Sequence, residues 1–263
     1  MKTNFEKVIE FNKCFSHKVS ETQYLNIFTE EPKLVDLRLK LIKEEIEELN
    51  DAFKVYDIVE IIDALSDILY VVYGMCAAFG ISIDEKYREY ITKSLSHDER
   101  AKTENNLTNF QLTKLLFTQT NNFILKDFVD NCKNKDYFNL LKNNLDDINK
   151  NYKNIEDACN NNNFETIVKY VLLLIEDTYT FGISVNVNLD DSFAIVHNSN
   201  MTKICDTEEL AKETVVWYES NDTKYDSPIY KHTEFGYIIL NESTGKILKS
   251  IKYTPANFSS LLN

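Results

Sequence analysis

The 263-residue chain is 43% hydrophobic and 27% charged, which suits a substantial core and excludes a disordered chain. Its net charge of −13 repels a phosphate backbone, so we expect no nucleic-acid partner, although a small triphosphate carried with magnesium remains compatible. With only five glycines and three prolines, the composition favours long helices over a many-stranded β fold.

Residues 1–100 predict four helices separated by polar connections. Thr3 and Glu6 form a capping-box pattern that starts the first helix, and Gly80 is placed to end the third. Residues 19–32 are a polar connection that ends at a proline. The later helices are predicted over residues 33–55, 58–79 and 84–97.

After a polar boundary at residues 101–107 the pattern restarts. Asn109-Phe110 begins a helix as Asn4-Phe5 does. We interpret this as an internal duplication with a period of about a hundred residues; chance similarity between amphipathic helices is the alternative. Two longer segments correspond in their apolar and acidic spacing, and the second pair shares the ending FGIS: residues 140–152 with 40–53, and residues 163–184 with 58–82.

The last part of the chain has a different pattern. Residues 207–218 predict a helix, and the apolar runs 237–240 and 246–249 predict a β-hairpin with Gly245 in its turn. We therefore predict an all-α helical bundle of two tandem repeats with a small C-terminal α/β hairpin appendage. The predicted domains are residues 1–100, 101–205 and 206–263.

The cysteines and the N-terminal residues favour a cytoplasmic, reducing location. Five cysteines are scattered without a CxxC pair, which argues against a disulfide framework or a zinc site. The N-terminal residues lack a signal-peptide core, and the apolar run 68–81 is too short and too interrupted to span a bilayer. We expect no membrane partner.

Four glutamates lie close together on the first strong helix. At about 100° per residue, Glu45 and Glu48 flank the apolar stripe and Glu44 lies at the edge of that flank. Glu47 points toward solvent. Taken alone, such a run is typical of a solvated helix face with ordinary salt bridges.

The second strong helix carries three acids on one face of an otherwise apolar surface. Glu60, Asp63 and Asp67 fall at i, i+3 and i+7, on a stripe that continues to Tyr70 and Gly74. Burying three carboxylates together is costly unless positive charge pairs with them, and this helix has almost no lysine or arginine. Magnesium prefers oxygen ligands of this kind, so we predict a magnesium site.

These acids stand in a pattern that resembles the signature of the all-α nucleotide pyrophosphohydrolases. Residues 63–74 are similar to the MazG-like and phosphoribosyl-ATP pyrophosphohydrolase-like branch, whose relatives include the dimeric dUTPases. Residues 196–203 and 245–255 resemble that branch's C-terminal motifs. The two acidic motifs are Glu44-Glu45-x-x-Glu48 and Glu60-x-x-Asp63.

The resemblance implies hydrolysis of a nucleoside triphosphate to its monophosphate and pyrophosphate, in nucleotide-pool control or house-cleaning. Glu44 or Glu45 would accept the proton of the attacking water. Asp67 would be a metal ligand or hold a ligand-bound water. The implied cofactor is Mg²⁺, with Mn²⁺ as a substitute, held by Glu44, Glu45, Glu48, Glu60, Asp63 and Asp67.

The C-terminal motifs resemble positions that contact the substrate in this family. Lysines near a triphosphate pair well with its oxygens, although surface lysines are common and a lone histidine is more often structural. Arg38, one to two turns before Glu45, is expected to be a structural partner of the acids. The candidate substrate-binding residues are Asn200, Lys203, Lys246, Lys249, Tyr253 and His197.

The second repeat departs from the acidic pattern. Asn143-Asn144 stand where the first repeat has Glu44-Glu45, and Lys169 stands in place of Asp67. We therefore predict one metal site per chain and a packing role for the second repeat. Simpler family members pair two short chains, so the two repeats are expected to form that pair within one chain; a monomer of this kind and a homodimer both remain open.

Two alternative functions remain open. One is a different enzyme on the same scaffold, either a base-specific dUTPase or dCTPase or a phosphoribosyl-ATP pyrophosphohydrolase. The other is a non-catalytic nucleotide-binding protein, since one repeat has lost its acids. The intact acidic set of the first repeat argues against this second alternative.

Overall fold

The computed structural model describes residues 2–100, 107–116, 125–221 and 224–262. The protein is 67% helical, with twelve α-helices and one two-stranded hairpin in these ranges, so the predicted fold class is confirmed. The predicted boundary at residues 101–107 lies, except for Leu107, outside the described residues. The elements are α1 (Asn4–Cys14), α2 (Ile27–Glu30), α3 (Pro32–Val55), α4 (Ile58–Phe79), α5 (Ile83–Ser94), α6 (His97–Arg100), α7 (Asn109–Lys114), α8 (Phe128–Asn131), α9 (Lys135–Asn160), α10 (Phe164–Ser184), α11 (Leu189–Met201), α12 (Glu208–Asn221), β1 (Pro228–Thr233) and β2 (Gly236–Asn241).

The predicted ends of the N-terminal helices are confirmed where capping chemistry sets them. The side chain of Thr3 accepts the backbone N–H of Glu6, and the Glu6 side chain accepts that of Thr3. Gly80 ends α4 at φ 68°, and a Cβ there would lie 1.8 Å from the carbonyl oxygen of Thr22. Only glycine combines this backbone conformation with so close a neighbour.

Two long helical hairpins, α3–α4 and α9–α10, form the core of the bundle. The helices within each hairpin pack against each other, α4 packs on α10, and α3 packs on α9. The short N-terminal helices then cross between the halves, since α1 contacts both α4 and α11, while α7 contacts both α10 and α5. This exchange relates the two halves by an approximate two-fold arrangement.

The approximate axis passes between two buried tyrosines. The hydroxyl groups of Tyr73 on α4 and Tyr179 on α10 are 2.8 Å apart, at positions separated by 106 residues. Gly80 and Asn186 have the same separation, and both have positive φ, 68° and 59°. The structural correspondence between the hairpins therefore follows this spacing.

This spacing corrects the alignment suggested by the shared FGIS letters. Gly80 ends α4, whereas Gly182 lies inside α10, where a Cβ would meet the Leu189 side chain at 2.5 Å. The FGIS match is thus displaced from the structural correspondence by about one helical turn. Under the structural spacing Asp67 corresponds to Leu173 rather than Lys169.

Two aspartates fasten the helices that cross between the halves. Asp84, in the first turn of α5, accepts hydrogen bonds from Thr3 at 2.6 Å and from Asn109 at 2.9 Å. Asp190, in the first turn of α11, has the mirrored arrangement. Its donors are Asn4 at 2.8 Å and Thr108 at 2.5 Å.

The C-terminal part forms a small unit with its own apolar cluster. Helix α12 packs on the β1–β2 hairpin, as predicted for a helix followed by a hairpin, and strand 237–240 is confirmed within β2. The main partner of β2 is residues 228–233, which the sequence did not predict, through a turn at residues 234–235 that precedes Gly236 at φ 132°. The predicted partner is also present as a shorter antiparallel pairing, in which Leu240 bridges Ile247, the backbone N–H of Leu248 donates to the Ile239 carbonyl, and Gly245 lies in the turn at φ 72°.

Helix α4 is long and apolar enough to cross a membrane by length and composition alone. In this structure 83% of its most apolar window is buried inside the protein. The same helix that carries the acidic stripe is therefore the central core helix of the bundle.

We predict that either crossing aspartate stabilises both halves together. Asp84→Ala leaves Thr3 and Asn109 without their shared acceptor, and we expect the free energy of unfolding to fall by about 1–3 kcal/mol. Asp190→Ala should have a similar effect. Urea denaturation measures this, with the exposed Asp146→Ala as the matched control; a loss no larger than the control's would contradict the role of these bonds.

Candidate active site

The candidate site lies where the acidic flank of α3 faces the acidic stripe of α4. Ile42, Ile46 and Leu49 are buried against the core, which orients the glutamates beside them toward α4. Asp57 caps the start of α4 by accepting the backbone N–H groups of Val59 and Glu60. The two helices thus bring their carboxylates to one face without a loop in the site.

The glutamates of α3 divide between this face and solvent. The Glu44 carboxylate accepts a hydrogen bond from the Lys246 ammonium at 3.0 Å and lies 3.9 Å from Lys40. Glu47 is exposed and pairs with Lys43 at 3.7 Å, as its predicted direction toward solvent requires. Glu48 is also exposed.

Glu45 and Asp67 face each other across the helix pair. Burial, together with the charges of Asp67 and Glu48, raises the pKa of Glu45 to about 9. Burial likewise raises the pKa of Asp67 to about 7, with Asp63 the largest neighbouring charge. Each group therefore holds its proton at a pH where an isolated carboxylate would have lost it.

Asp63 joins the two sets of acids. Burial raises its pKa to about 6, and the charges of Glu60 and Glu48 act in the same direction. The positive charges of Lys249 and Lys203 oppose the rise. Each of the six predicted acids thus acts electrostatically on at least one other, in a series that runs from Glu44 through Glu45, Asp67 and Asp63 to Glu60.

The chemistry of these donors fits a hard divalent cation. Within the described ranges no side-chain hydrogen bond or ion pair is found for the carboxylates of Glu45, Glu48, Glu60, Asp63 and Asp67. Their mutual repulsion calls for positive charge, and oxygen donors are what magnesium binds. The described side chains do not yet converge as a group of three or more metal-ligating residues, so coordination requires rotamer changes.

Three lysines from later in the chain border the acids. Burial lowers the pKa of Lys203, while the charge of Asp67 raises it. Burial also lowers the pKa of Lys246, but the hydrogen bond to Glu44 raises it above its ordinary value. The Lys249 ammonium lies 4.6 Å from the ring centre of Tyr253.

Asn200 and His197 lie on the adjoining part of α11, and Tyr253 of the C-terminal segment contacts the same helix. The hydroxyl of Ser199 donates to the Tyr253 hydroxyl at 2.8 Å. Asn200 is buried, and its side chain opposes the rise that burial causes in the pKa of Tyr70, the residue that follows Asp67 on the acidic stripe. His197 is also buried, with Nδ1 3.1 Å from the Tyr70 hydroxyl and Nε2 3.8 Å from Glu10. The sequence-predicted histidine is thus held in the helix packing beside the site.

Arg38 does not act as the predicted structural partner of the acids. It is 4% exposed and forms no ion pair with any described residue, and its Nε and Nη2 have no hydrogen-bond partner. Its Nη1 lies 2.8 Å from where a Cβ on Gly74 would stand. The glycine at the inner end of the acidic stripe therefore makes room for a guanidinium, a feature that periodicity alone did not identify.

The corresponding region of α9 and α10 lacks acids at the equivalent positions, because Thr166, Lys169 and Leu173 stand 106 residues after Glu60, Asp63 and Asp67. The part-buried acid Asp177 lies elsewhere on α10 and accepts a hydrogen bond from Asn151 at 2.6 Å. Asn143 is exposed, whereas Asn144 is buried and donates to the Ser184 hydroxyl at 3.2 Å. Lys169 lies 5.1 Å from the ring centre of Tyr170. These side chains take part in packing and surface contacts.

Comparison with known proteins agrees with this geometry. The phosphoribosyl-ATP pyrophosphohydrolase family matches residues 8–94, which contain all six acids. Residues 8–94 are therefore a domain of the MazG-like and phosphoribosyl-ATP pyrophosphohydrolase-like branch of the all-α NTP pyrophosphohydrolase superfamily. This branch consists of hydrolases that act as pyrophosphohydrolases on nucleotide-like substrates.

A full-length relative is found in a giant virus. An uncharacterized protein of Acanthamoeba polyphaga mimivirus is 37% identical over 264 residues, which cover 99% of this chain and 96% of that protein. The similarity therefore extends beyond the acidic helices through the second hairpin and the C-terminal unit. No solved structure matches the chain.

We predict that Asp67→Asn stabilises the metal-free protein at high pH. The folded-state pKa of Asp67, about 7, lies above its ordinary value of 3.8, so the folded protein binds more protons and stability falls as pH rises between these values. At pH 8 we expect the variant to gain about 1–3 kcal/mol in unfolding free energy.

Urea denaturation in chelator at pH 4 and pH 8 measures this gain. The gain should be small at pH 4, where Asp67 is protonated in the folded state and, with an ordinary pKa of 3.8, only partly ionised in the unfolded state. Asp146→Asn, on the exposed face of α9, is the control and should show no such pH dependence. An equal gain at both pH values would contradict electrostatic crowding at Asp67.

Proposed function

We propose that this protein is a magnesium-dependent nucleoside triphosphate pyrophosphohydrolase that converts a (d)NTP and water to a (d)NMP and pyrophosphate. The observation that carries the proposal is the set of unpaired, mutually repelling carboxylates between α3 and α4, bordered by three lysines. Carboxylates alone repel a triphosphate, and lysines alone would bind it without activating water. Their combination suits a metal-bound triphosphate.

The metal would be held by carboxylates from both helices. Magnesium, with manganese as a substitute, would supply positive charge for the phosphate oxygens and make a water molecule more acidic. The ligands in this proposal are Glu44, Glu45, Glu48, Glu60, Asp63 and Asp67.

The chain's own residues would accept the proton of the attacking water and bind the phosphates. Glu45 is the better placed of the two candidate proton acceptors, because Glu44 already pairs with Lys246. Its high pKa in the metal-free protein keeps it protonated near neutral pH, and entry of positive charge would return it to the basic form. The lysines of the C-terminal segments would bind the outgoing pyrophosphate oxygens.

The second hairpin in this proposal is a packing partner derived from an internal duplication. Its approximate two-fold relation to the first hairpin and its lack of acids at the positions equivalent to Glu44, Glu45 and Asp67 favour one site per chain. The chain would then be an intrachain pseudo-dimer, working as a monomer. Nucleotide-pool control or house-cleaning in a reducing cytoplasm is the matching role.

The assay that tests the proposal is incubation with magnesium and a panel of NTPs and dNTPs, followed by separation of products. We expect monophosphate and pyrophosphate. Glu48→Gln and Asp63→Asn should each lower kcat/KM by at least about 100-fold, because each removes an oxygen donor of the site. Orthophosphate with diphosphate, or no turnover of any nucleotide, would overturn the proposal.

The matched control lies in the second hairpin. Asn143 is exposed on α9, at the position that the sequence alignment pairs with Glu44, so Asn143→Asp should leave turnover unchanged. A loss as large as that of Glu48→Gln would show that the second hairpin contributes to the reaction.

We predict a different effect for the lysine beside Asp67. Lys203→Met removes a phosphate contact but no carboxylate, so we expect KM to rise by about 10- to 100-fold, the equivalent of one charged hydrogen bond. The exposed Lys153→Met on α9 is the control. Steady-state kinetics measure both, and an unchanged KM in Lys203→Met would remove this lysine from the substrate site.

A further inference from the structure

Three buried donors without partners lie beyond the inner end of the acidic stripe. In the described ranges only three buried side-chain nitrogen or oxygen atoms lack a hydrogen-bond partner: Nε and Nη2 of Arg38 and Nδ2 of Asn12. All three are nitrogens that donate. Buried donors of this kind cost free energy unless something accepts from them.

The donors are close to each other in the fold. The Arg38 guanidinium packs over Gly74 of α4, and Val8 of α1 lies on the same side of that glycine. Asn12 follows Val8 by one turn on α1, so its side chain lies on the same helix face. Burial lowers the pKa of His17, and the charges of Arg38 and Lys203 lower it as well. His17 therefore lies near both this group and the lysine that borders the acids.

The free atoms of Arg38 form a fork. In a guanidinium the Nε–H and one Nη2–H lie side by side in one plane, so together they bind two neighbouring acceptors. The third nitrogen, Nη1, faces the glycine and is held by packing. The fork is thus the part of the side chain left for a ligand.

The position of the fork favours the base end of a nucleotide over its phosphates. Arg38 precedes Glu45 by seven residues, and Gly74 follows Asp67 by seven, so the fork lies about 10 Å along both helices from the acids. The lysines lie at the acids themselves, with Lys246 on Glu44. Phosphates therefore belong at the acidic end, and the far end of the nucleotide is directed toward Arg38.

We infer that Arg38, with Asn12, recognises a nucleobase that presents two adjacent hydrogen-bond acceptors, which are O6 and N7 of guanine or O2 and N3 of cytosine. Adenine offers one acceptor beside a donor on each edge, and uracil and thymine have no two adjacent acceptors. This inference rests on the proposed nucleotide substrate and adds its base class. Since the donors are enclosed, the base enters as neighbouring side chains move, and His17 is part-exposed beside them.

Two measurements test the inference. The first is kcat/KM for dGTP, dCTP, dATP, dTTP and dUTP with magnesium. The second is calorimetric binding of GMP, CMP, AMP and UMP, which needs no turnover. We expect the guanine or the cytosine nucleotide to be preferred by roughly 10- to 100-fold, the discrimination that one bidentate pair supplies.

Two variants locate this preference at the fork. Arg38→Lys keeps the charge but has no fork, so the preference should collapse to within about 3-fold. Gly74→Ala places a Cβ 2.8 Å from Nη1 and should displace the guanidinium with the same result, although alanine favours the helix. Arg88→Lys on α5, away from the site, should keep the preference, and thermal unfolding confirms that each variant is folded.

Four results would overturn the inference. Two concern the wild type: a preference for adenine, uracil or thymine, and equal affinity for all four monophosphates. The other two concern Arg38→Lys: an unchanged base preference, and a loss of affinity for inorganic pyrophosphate as large as its loss for the preferred monophosphate. Failure of the proposed function is separate, because absent turnover with intact guanine or cytosine selectivity in calorimetry would remove the hydrolase and leave the base site.

Discussion

The burial of carboxylates on the central helix is the constraint on which the rest of the structure depends. Helix α4 is apolar on most of its surface, so it lies inside the bundle and takes Asp63 and Asp67 into partly buried positions, while Glu60 stays exposed near its start. Asp63 and Asp67 then face the glutamates of α3, and repulsion and desolvation raise the pKa of Glu45, Asp63 and Asp67. Bound positive charge between these carboxylates would therefore stabilise the folded protein.

The second hairpin supplies the packing that makes this burial possible. Helix α10 covers one side of α4, and the tyrosine pair between them is buried and hydrogen-bonded. Because α10 has no acids at the positions equivalent to Glu60, Asp63 and Asp67, it packs against α4 without adding carboxylates to the site. The C-terminal unit completes the surroundings by bringing lysines to the open side of the acids.

Much of the fold and the acidic site follows from local chemistry that a sequence displays. The capping box at Thr3, the glycine at position 80 and the acids at i, i+3 and i+7 each act within one or two turns, so their patterns are readable. The pairing of β2 with residues 228–233 was missed because it depends on a turn geometry at Gly236 rather than on apolar runs.

The remaining features of the site depend on contacts between distant segments. The orphan fork of Arg38 exists because Gly74, on another helix, leaves room for it. The shared FGIS sequence gave the wrong alignment of the two hairpins, because its glycine ends α4 at position 80 but lies inside α10 at position 182. The sequence signal for the Arg38 site was Gly74, a glycine within the acidic stripe of an otherwise apolar helix.

The pairing of Lys246 with Glu44 also has a consequence for synthesis on the ribosome. These two residues are 202 positions apart, so the acids of α3 and α4 emerge long before the lysine that borders them. Asp84 is likewise synthesised before its hydrogen-bond donor Asn109, and Asn4 before its acceptor Asp190. The N-terminal half therefore emerges without the lysines that border its acids, and repulsion among its carboxylates opposes the packing of α3 on α4 until the C-terminal segments are made.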